Sequence, residues 1–192
     1  MKDRSTGAER LQDTYPAGAR HFHWITAAFV FIMVPVGFYM VYRGETTNFD
    51  ALTNTLYSNH KLAGFILLWL VVARLGFRFI KGAPSDEPSL TPLQKTVSHL
   101  VHWVLYGLLL VVPLLGWIGV SLYPALGIPF GLSLPALTTP DEKLAETVLN
   151  LHKLGAILLT LLVLAHIGAA LFHHLIRKDN VLRRMLPGLK AR

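Results

Sequence analysis

Four apolar stretches, each long enough to cross the roughly 30 Å hydrocarbon core of a bilayer, leave this chain little choice of fold. They run over about 20–42, 59–79, 92–122 and 140–176 and predict an all-α integral membrane bundle of four transmembrane helices, read as one domain over 1–192. Backbone polar groups in lipid must be satisfied within their own segment, which selects helices. Only 15% of the residues are charged, against about 25% in an ordinary water-soluble domain.

Between the spans, Arg43–Ser58 reads as a polar loop and Lys81–Thr91 as a Pro- and Ser-rich connection. Tyr123–Thr138 is irregular, apolar and rich in Gly and Pro, and is expected at the membrane surface, capping the bundle end. Thr139-Pro140-Asp141-Glu142 reads as a helix start, with a hydroxyl N-cap, proline in the first turn and acids at the positive dipole end. Pro35 with Gly37, and Pro113, mark expected kinks.

The formal net charge of +7 does not point to nucleic acid, because the basic residues flank the spans and read as topology determinants and lipid-headgroup contacts. With both termini on one side, that side and the second-to-third connection hold fourteen of the Lys and Arg residues. The other side holds only Arg43, Lys61, Lys143 and Lys153. The positive-inside rule then makes both termini cytoplasmic, with Met1–Arg20 as a short cytoplasmic tail, in a multi-pass membrane protein. The second and fourth spans consequently run parallel.

Histidines populate these spans at two depths. His152 and His166 lie fourteen residues apart in the fourth span, so they return to within about 40° of one direction and stand about 21 Å apart along the axis. His60-Lys61-Leu62-Ala63-Gly64 mirrors His152-Lys153-Leu154-Gly155-Ala156 at the outer ends of the two parallel spans, which puts His60 at the depth of His152. At the inner depth His166 is joined by His21 and His23 on the first span and by His99 and His102 on the third. A polar group at membrane depth is costly and usually works on an ion, proton or cofactor.

Imidazole pairs facing across a bundle, with no acidic residue in any span beyond Asp141, Glu142 and Glu146 at the outer start of the fourth, suit axial ligation of a flat macrocycle, and bis-His b haem is the natural candidate. Zinc and di-iron sites want three or four ligands that include carboxylates or thiolates. With no cysteine, disulfides, thiolate-held iron–sulfur clusters and covalent c-type haem are excluded. Gly64, Gly155, Gly168 and Ala169 are small residues beside the histidines, suited to close approach of a porphyrin or to plain helix packing.

Several segments resemble the bacterial cytochrome b561 family, and within it the superoxide oxidase type. They are His23-Trp24, the Asn59-His60-Lys61 helix start, Val72–Arg78, Ser98–Trp117, Phe130-Gly131, the histidine pair of the fourth span, and Phe172–Gly188. The resemblance implies two haem b groups, an outer one between His60 and His152 and an inner one between His23 and His166. His21 competes with His23, but the two point about 160° apart, and His23 carries the family's following tryptophan; His102 is the other inner contender. In this reading Arg74, Arg78, His99 and His102 face propionates or the inner side, and Lys61 and Lys153 offer contacts for an anion or a propionate. His173, His174, Lys178 and Asp179 form a quinone site.

The implied activity is transmembrane electron transfer from a periplasmic donor to ubiquinone at the cytoplasmic side, with superoxide as the donor. The alternative is a membrane cytochrome b subunit serving a periplasmic dehydrogenase or other redox protein. The outer loops bear on the choice. Arg43–Asn59 carries one base and two acids, and Pro124–Leu151 one base and three acids, so no overall cationic funnel steers an anion.

Overall fold

The computed structural model describes residues 14–186 and 188; the expected tail over 1–13 lies outside them. Four long helices follow one another: α1 (Ala17–Thr46), α2 (Ala51–Lys81), α3 (Pro92–Leu122) and α4 (Glu142–Phe172). All four are long and apolar enough to cross a membrane. α1 packs on α2, α2 on α3 and α3 on α4. Among the described residues α4 forms no comparable backbone seam with α1 or α2, and the histidine rings stand on those facing sides.

Both described ends of the chain lie together. Tyr15 donates its backbone N–H to the Arg184 carbonyl at 3.2 Å, and the Trp24 indole donates to the Met185 carbonyl at 3.2 Å. Arg177 reaches the Ser89 carbonyl at 3.0 Å and Arg184 the Ser85 carbonyl, so the α2–α3 connection shares this terminal end. The α1–α2 and α3–α4 loops occupy the opposite, loop end.

The helices outrun the hydropathy of their sequences. The polar loop expected over Arg43–Ser58 is only residues 47–50, because Asp50 caps α2. Its Oδ1 accepts the Thr53 N–H at 2.8 Å and the Thr53 hydroxyl at 2.7 Å, and its other oxygen pairs with Arg43 at the end of α1. Capping satisfies first-turn backbone donors that have no partner within the helix, so a polar first turn still winds as helix. Thr91 caps α3 reciprocally with Gln94, where the sequence put the start. The start of α4 lies further on than expected: Asp141, not Thr139, is the N-cap, accepting the Leu144 N–H at 3.0 Å. Pro35 and Pro113 sit inside continuous helices, and Gly82, at φ 69°, ends α2 in a conformation open to glycine.

The segment after α3, irregular as expected, folds back over the loop end. A single antiparallel bridge joins Gly127 to Ser133 around a turn in which Phe130 and Gly131 both have positive φ. Lys61 of α2 ties it down by donating to the Ala125 carbonyl at 2.7 Å, and Trp117 donates to the Pro135 carbonyl at 2.9 Å. Past α4 the helix widens into a π-turn, His173–Arg177, which stops at Lys178 in the left-handed region.

The buried core is one apolar belt: Val30, Leu67, Val71, Leu105, Leu109 and Leu159. Leu159 lies midway between His152 and His166, about 10 Å along the axis from each. The belt therefore separates the two histidine levels.

Candidate functional site

At the loop-end level, His60 on α2 and His152 on α4 face each other with ring centroids 6.3 Å apart and planes at 88°. At the terminal-end level, His23 on α1 and His166 on α4 repeat the same separation, 6.3 Å, at 67°. Two imidazoles bound to one metal from opposite sides, with metal–nitrogen bonds of about 2.0 Å and each nitrogen about 1.1 Å from its ring centre, stand about 6 Å apart. Both pairs fit that spacing. His102 stands only 5.3 Å from His166, short of it. His21 is exposed while His23 is half-buried, so helix rotation turns His23 and not His21 to the bundle.

The hydrogen bonds at Nδ1 distinguish the rings. His152 donates from Nδ1 to the Val112 carbonyl at 2.8 Å, which leaves the Nε2 lone pair free, the tautomer a ligating histidine needs. Nδ1 of His60 is buried with no partner. Nδ1 of His23 receives Arg74 at 3.0 Å.

Glycines press on the loop-end rings. A methyl on Gly37 of α1 would lie 3.2 Å from Cε1 of His60, and one on Gly116 of α3 would lie 3.1 Å from both Cε1 and Nδ1 of His152. The sequence drew attention instead to Gly64, Gly155 and Gly168. A methyl on Gly155 would meet Val112 at 2.9 Å and one on Gly64 would meet Met33 at 3.5 Å, while Gly168 has open space. Gly155 is thus a helix-packing residue. Which glycine lies under a ring depends on the neighbouring helix, and no pattern along one helix carries that signal.

The remaining polar residues divide by partner. Arg74 also lies over the Tyr106 ring, 5.2 Å from its centre, and Nη1 of Arg78 is buried without a partner. His99 turns outward to Asp86 at 3.0 Å. Lys61 is committed to the loop, and Lys153 is exposed. Beyond α4, His173 Nδ1 stands 2.5 Å from Asp179, a carboxylate only 7% exposed that Arg177 approaches at 3.5 Å. The π-turn and left-handed Lys178 fold the chain back to make this contact; Lys178 itself is exposed and His174 half-buried.

Two imidazole pairs, one on each side of an apolar belt in a four-helix membrane bundle, are the arrangement of a transmembrane cytochrome b. The sequence pattern of the prokaryotic cytochrome b561 family matches residues 14–188. This chain belongs to that family. Cytochrome b561 homolog 1 of Escherichia coli (strain K12) is 33% identical over 171 residues, covering 88% of this chain and 95% of the relative. The probable superoxide oxidase CybB of Yersinia pestis is 31% identical over 128 residues, 67% and 73% of the two chains. Cytochrome b561 homolog 2 of Escherichia coli (strain K12) is 30% identical over 169 residues, 86% and 87% of the two. As a b561 cytochrome, the protein is a haem b-binding electron-transfer protein that crosses the bacterial inner membrane several times.

Proposed function

We propose that this b561 cytochrome holds two b haems, His60 and His152 binding the outer one and His23 and His166 the inner one. It oxidises a periplasmic donor and reduces ubiquinone at the cytoplasmic side, with superoxide as the donor. The observation that carries the reading is the equal 6.3 Å spacing of two imidazole pairs on either side of one apolar belt. When bound, each haem supplies one-electron transfer at a bis-imidazole iron.

The chain's own residues do the rest. The belt keeps water from the path between the two levels. Arg74 and Arg78 supply donors for the propionates of the inner group, Arg78 through its unpartnered Nη1. The positive-inside rule makes the terminal end cytoplasmic. There Asp179 holds the Nδ1 proton of His173 and leaves Nε2 to serve a quinone oxygen, with His174 and Lys178 on the same turn. Two superoxide ions give up one electron each and leave as dioxygen, and the ubiquinone takes both electrons with two cytoplasmic protons.

The name of the Yersinia pestis relative supports superoxide as the donor. The loop end bears on the alternative, a cytochrome b subunit passing electrons between a periplasmic dehydrogenase or other redox protein and the quinone pool. Lys61 is spent on the Ala125 carbonyl, which leaves Lys153 as the free cation beside the outer pair and gives little steering of a small anion. The deciding experiment supplies superoxide and a soluble ubiquinone to the purified haem-loaded protein with no partner. Quinol formation faster than the protein-free rate supports the superoxide oxidase reading. Its absence, with reduction restored by a periplasmic extract, supports the subunit reading.

A further inference from the structure

We infer that Gly37 and Gly116 are positioning residues, one seat beneath each outer imidazole, that together set the separation and pitch of the His60–His152 pair. The inference rests on the proposed role of those histidines.

Each seat belongs to a helix other than the one that carries its histidine. Gly37 of α1 lies under His60 of α2, and Gly116 of α3 under His152 of α4. A methyl at either position would lie 3.1–3.2 Å from its ring, so the ring must give by a few tenths of an ångström. Overpacking a close contact shifts side chains or backbone. Both glycines follow a proline in the same helix, Pro35 and Pro113. None of the described glycines has the ring of His23 or His166 among its nearest neighbours, so the seats act on the outer level alone.

The two seats differ in how far the ring above them can give. His152 is pinned at Nδ1 to the Val112 carbonyl, one turn before Gly116 on the same helix. His60 has no such tether and can slide. A methyl at 116 works against the His152–Val112 bond, whereas a methyl at 37 tilts an untethered ring.

The test compares Gly37→Ala, Gly116→Ala and Gly107→Ala, the last at a helical glycine with open space for a methyl, in the haem-loaded protein. Haem per chain and the low-spin EPR signal of each haem are read out. Gly116→Ala is expected to lose the outer signal, with haem content falling about twofold. Gly37→Ala is expected to keep its haem but shift the outer EPR signal, with the inner signal unchanged in both. Gly107→Ala is expected to change neither signal. An unshifted outer signal in both seat variants would overturn the inference, and so would loss of both haems together, since the seats touch only one level. His60→Ala separates this from the reading beneath it. If that variant keeps the outer haem, the ligand assignment fails; if it loses the haem while the seat variants change nothing, only the seats fail.

Discussion

Arg74 donates to Nδ1 of His23 across 3.0 Å. A guanidinium has donors and no acceptor, so the neutral His23 ring in this arrangement carries its proton on Nε2. Iron on Nε2 requires the opposite tautomer, which moves Arg74 off Nδ1 and frees it for a propionate. His152 already has the ligating tautomer, fixed by Val112. Under the proposed ligation, the inner site would reorganise on haem loading and the His152 side of the outer site would not.

Arg74→Leu removes a cation from beside the inner group and is expected to lower that haem's midpoint potential by roughly 50–120 mV. A unit charge about 6 Å away at an effective dielectric of 20 is worth about 3 kcal/mol, and a one-electron couple converts 1.4 kcal/mol to about 59 mV. A redox titration in which the inner potential stays put would remove Arg74 from the haem's surroundings. The outer potential serves as the internal reference.

Replacing His23, His60, His152 or His166 by Ala, one at a time, is expected to cost one haem and leave the other, because the two pairs share α4 but no ligand. His102→Ala is expected to retain both haems, its 5.3 Å approach to His166 being too short for a shared iron. Pyridine haemochrome counts per chain decide the matter. Loss of haem from His102→Ala together with retention in His23→Ala would reverse the inner assignment.

Asp179→Asn keeps an acceptor for Nδ1 of His173 but replaces the carboxylate that holds the ring in place. The expected result is a roughly tenfold to hundredfold slower reoxidation of the reduced protein by ubiquinone, in line with the loss of a positioned proton donor. The haem spectra should be unchanged. Stopped-flow reoxidation at full native speed would take His173 out of the proton path.

Asp50 gives the loop end a pH dependence. The Thr53 hydroxyl and then the Thr53 N–H, with Arg43 adding to them, hold its carboxyl below the ordinary aspartate value. A lowered folded pKa contributes stability above the ordinary value that is lost as pH falls through the lowered one. The protection of amides in the α1–α2 turn, measured against their intrinsic exchange rate at each pH, is therefore expected to fall on acidification through that window. Asp50→Ala should show little protection at any pH; protection in the unmodified protein that does not change with pH would contradict the capping role.

Much of this architecture is legible along the chain, because it rests on local properties. Hydropathy over about twenty residues marks each span, and the helical period alone puts His152 and His166 on one face. The ends of the helices were less legible. Asp50 and Asp141 cap helices whose first turns are polar, and hydropathy measures depth in lipid, not where winding starts. The sequence placed 123–138 over the bundle end but not its tie to Lys61, because that partner lies on a distant helix.

By itself, the sequence determined a four-helix membrane bundle, its family, and two depths at which imidazoles gather, since each follows from spacing within a single segment. Tertiary structure alone put both His23 and His102 beside His166 and placed glycines 37 and 116 under the outer rings. It alone brought Asp179 back onto His173. These depend on how each helix is rotated about its own axis and which neighbour it meets, and lipid, being equally apolar on every side, leaves little trace of that rotation in a nearly uniform apolar sequence.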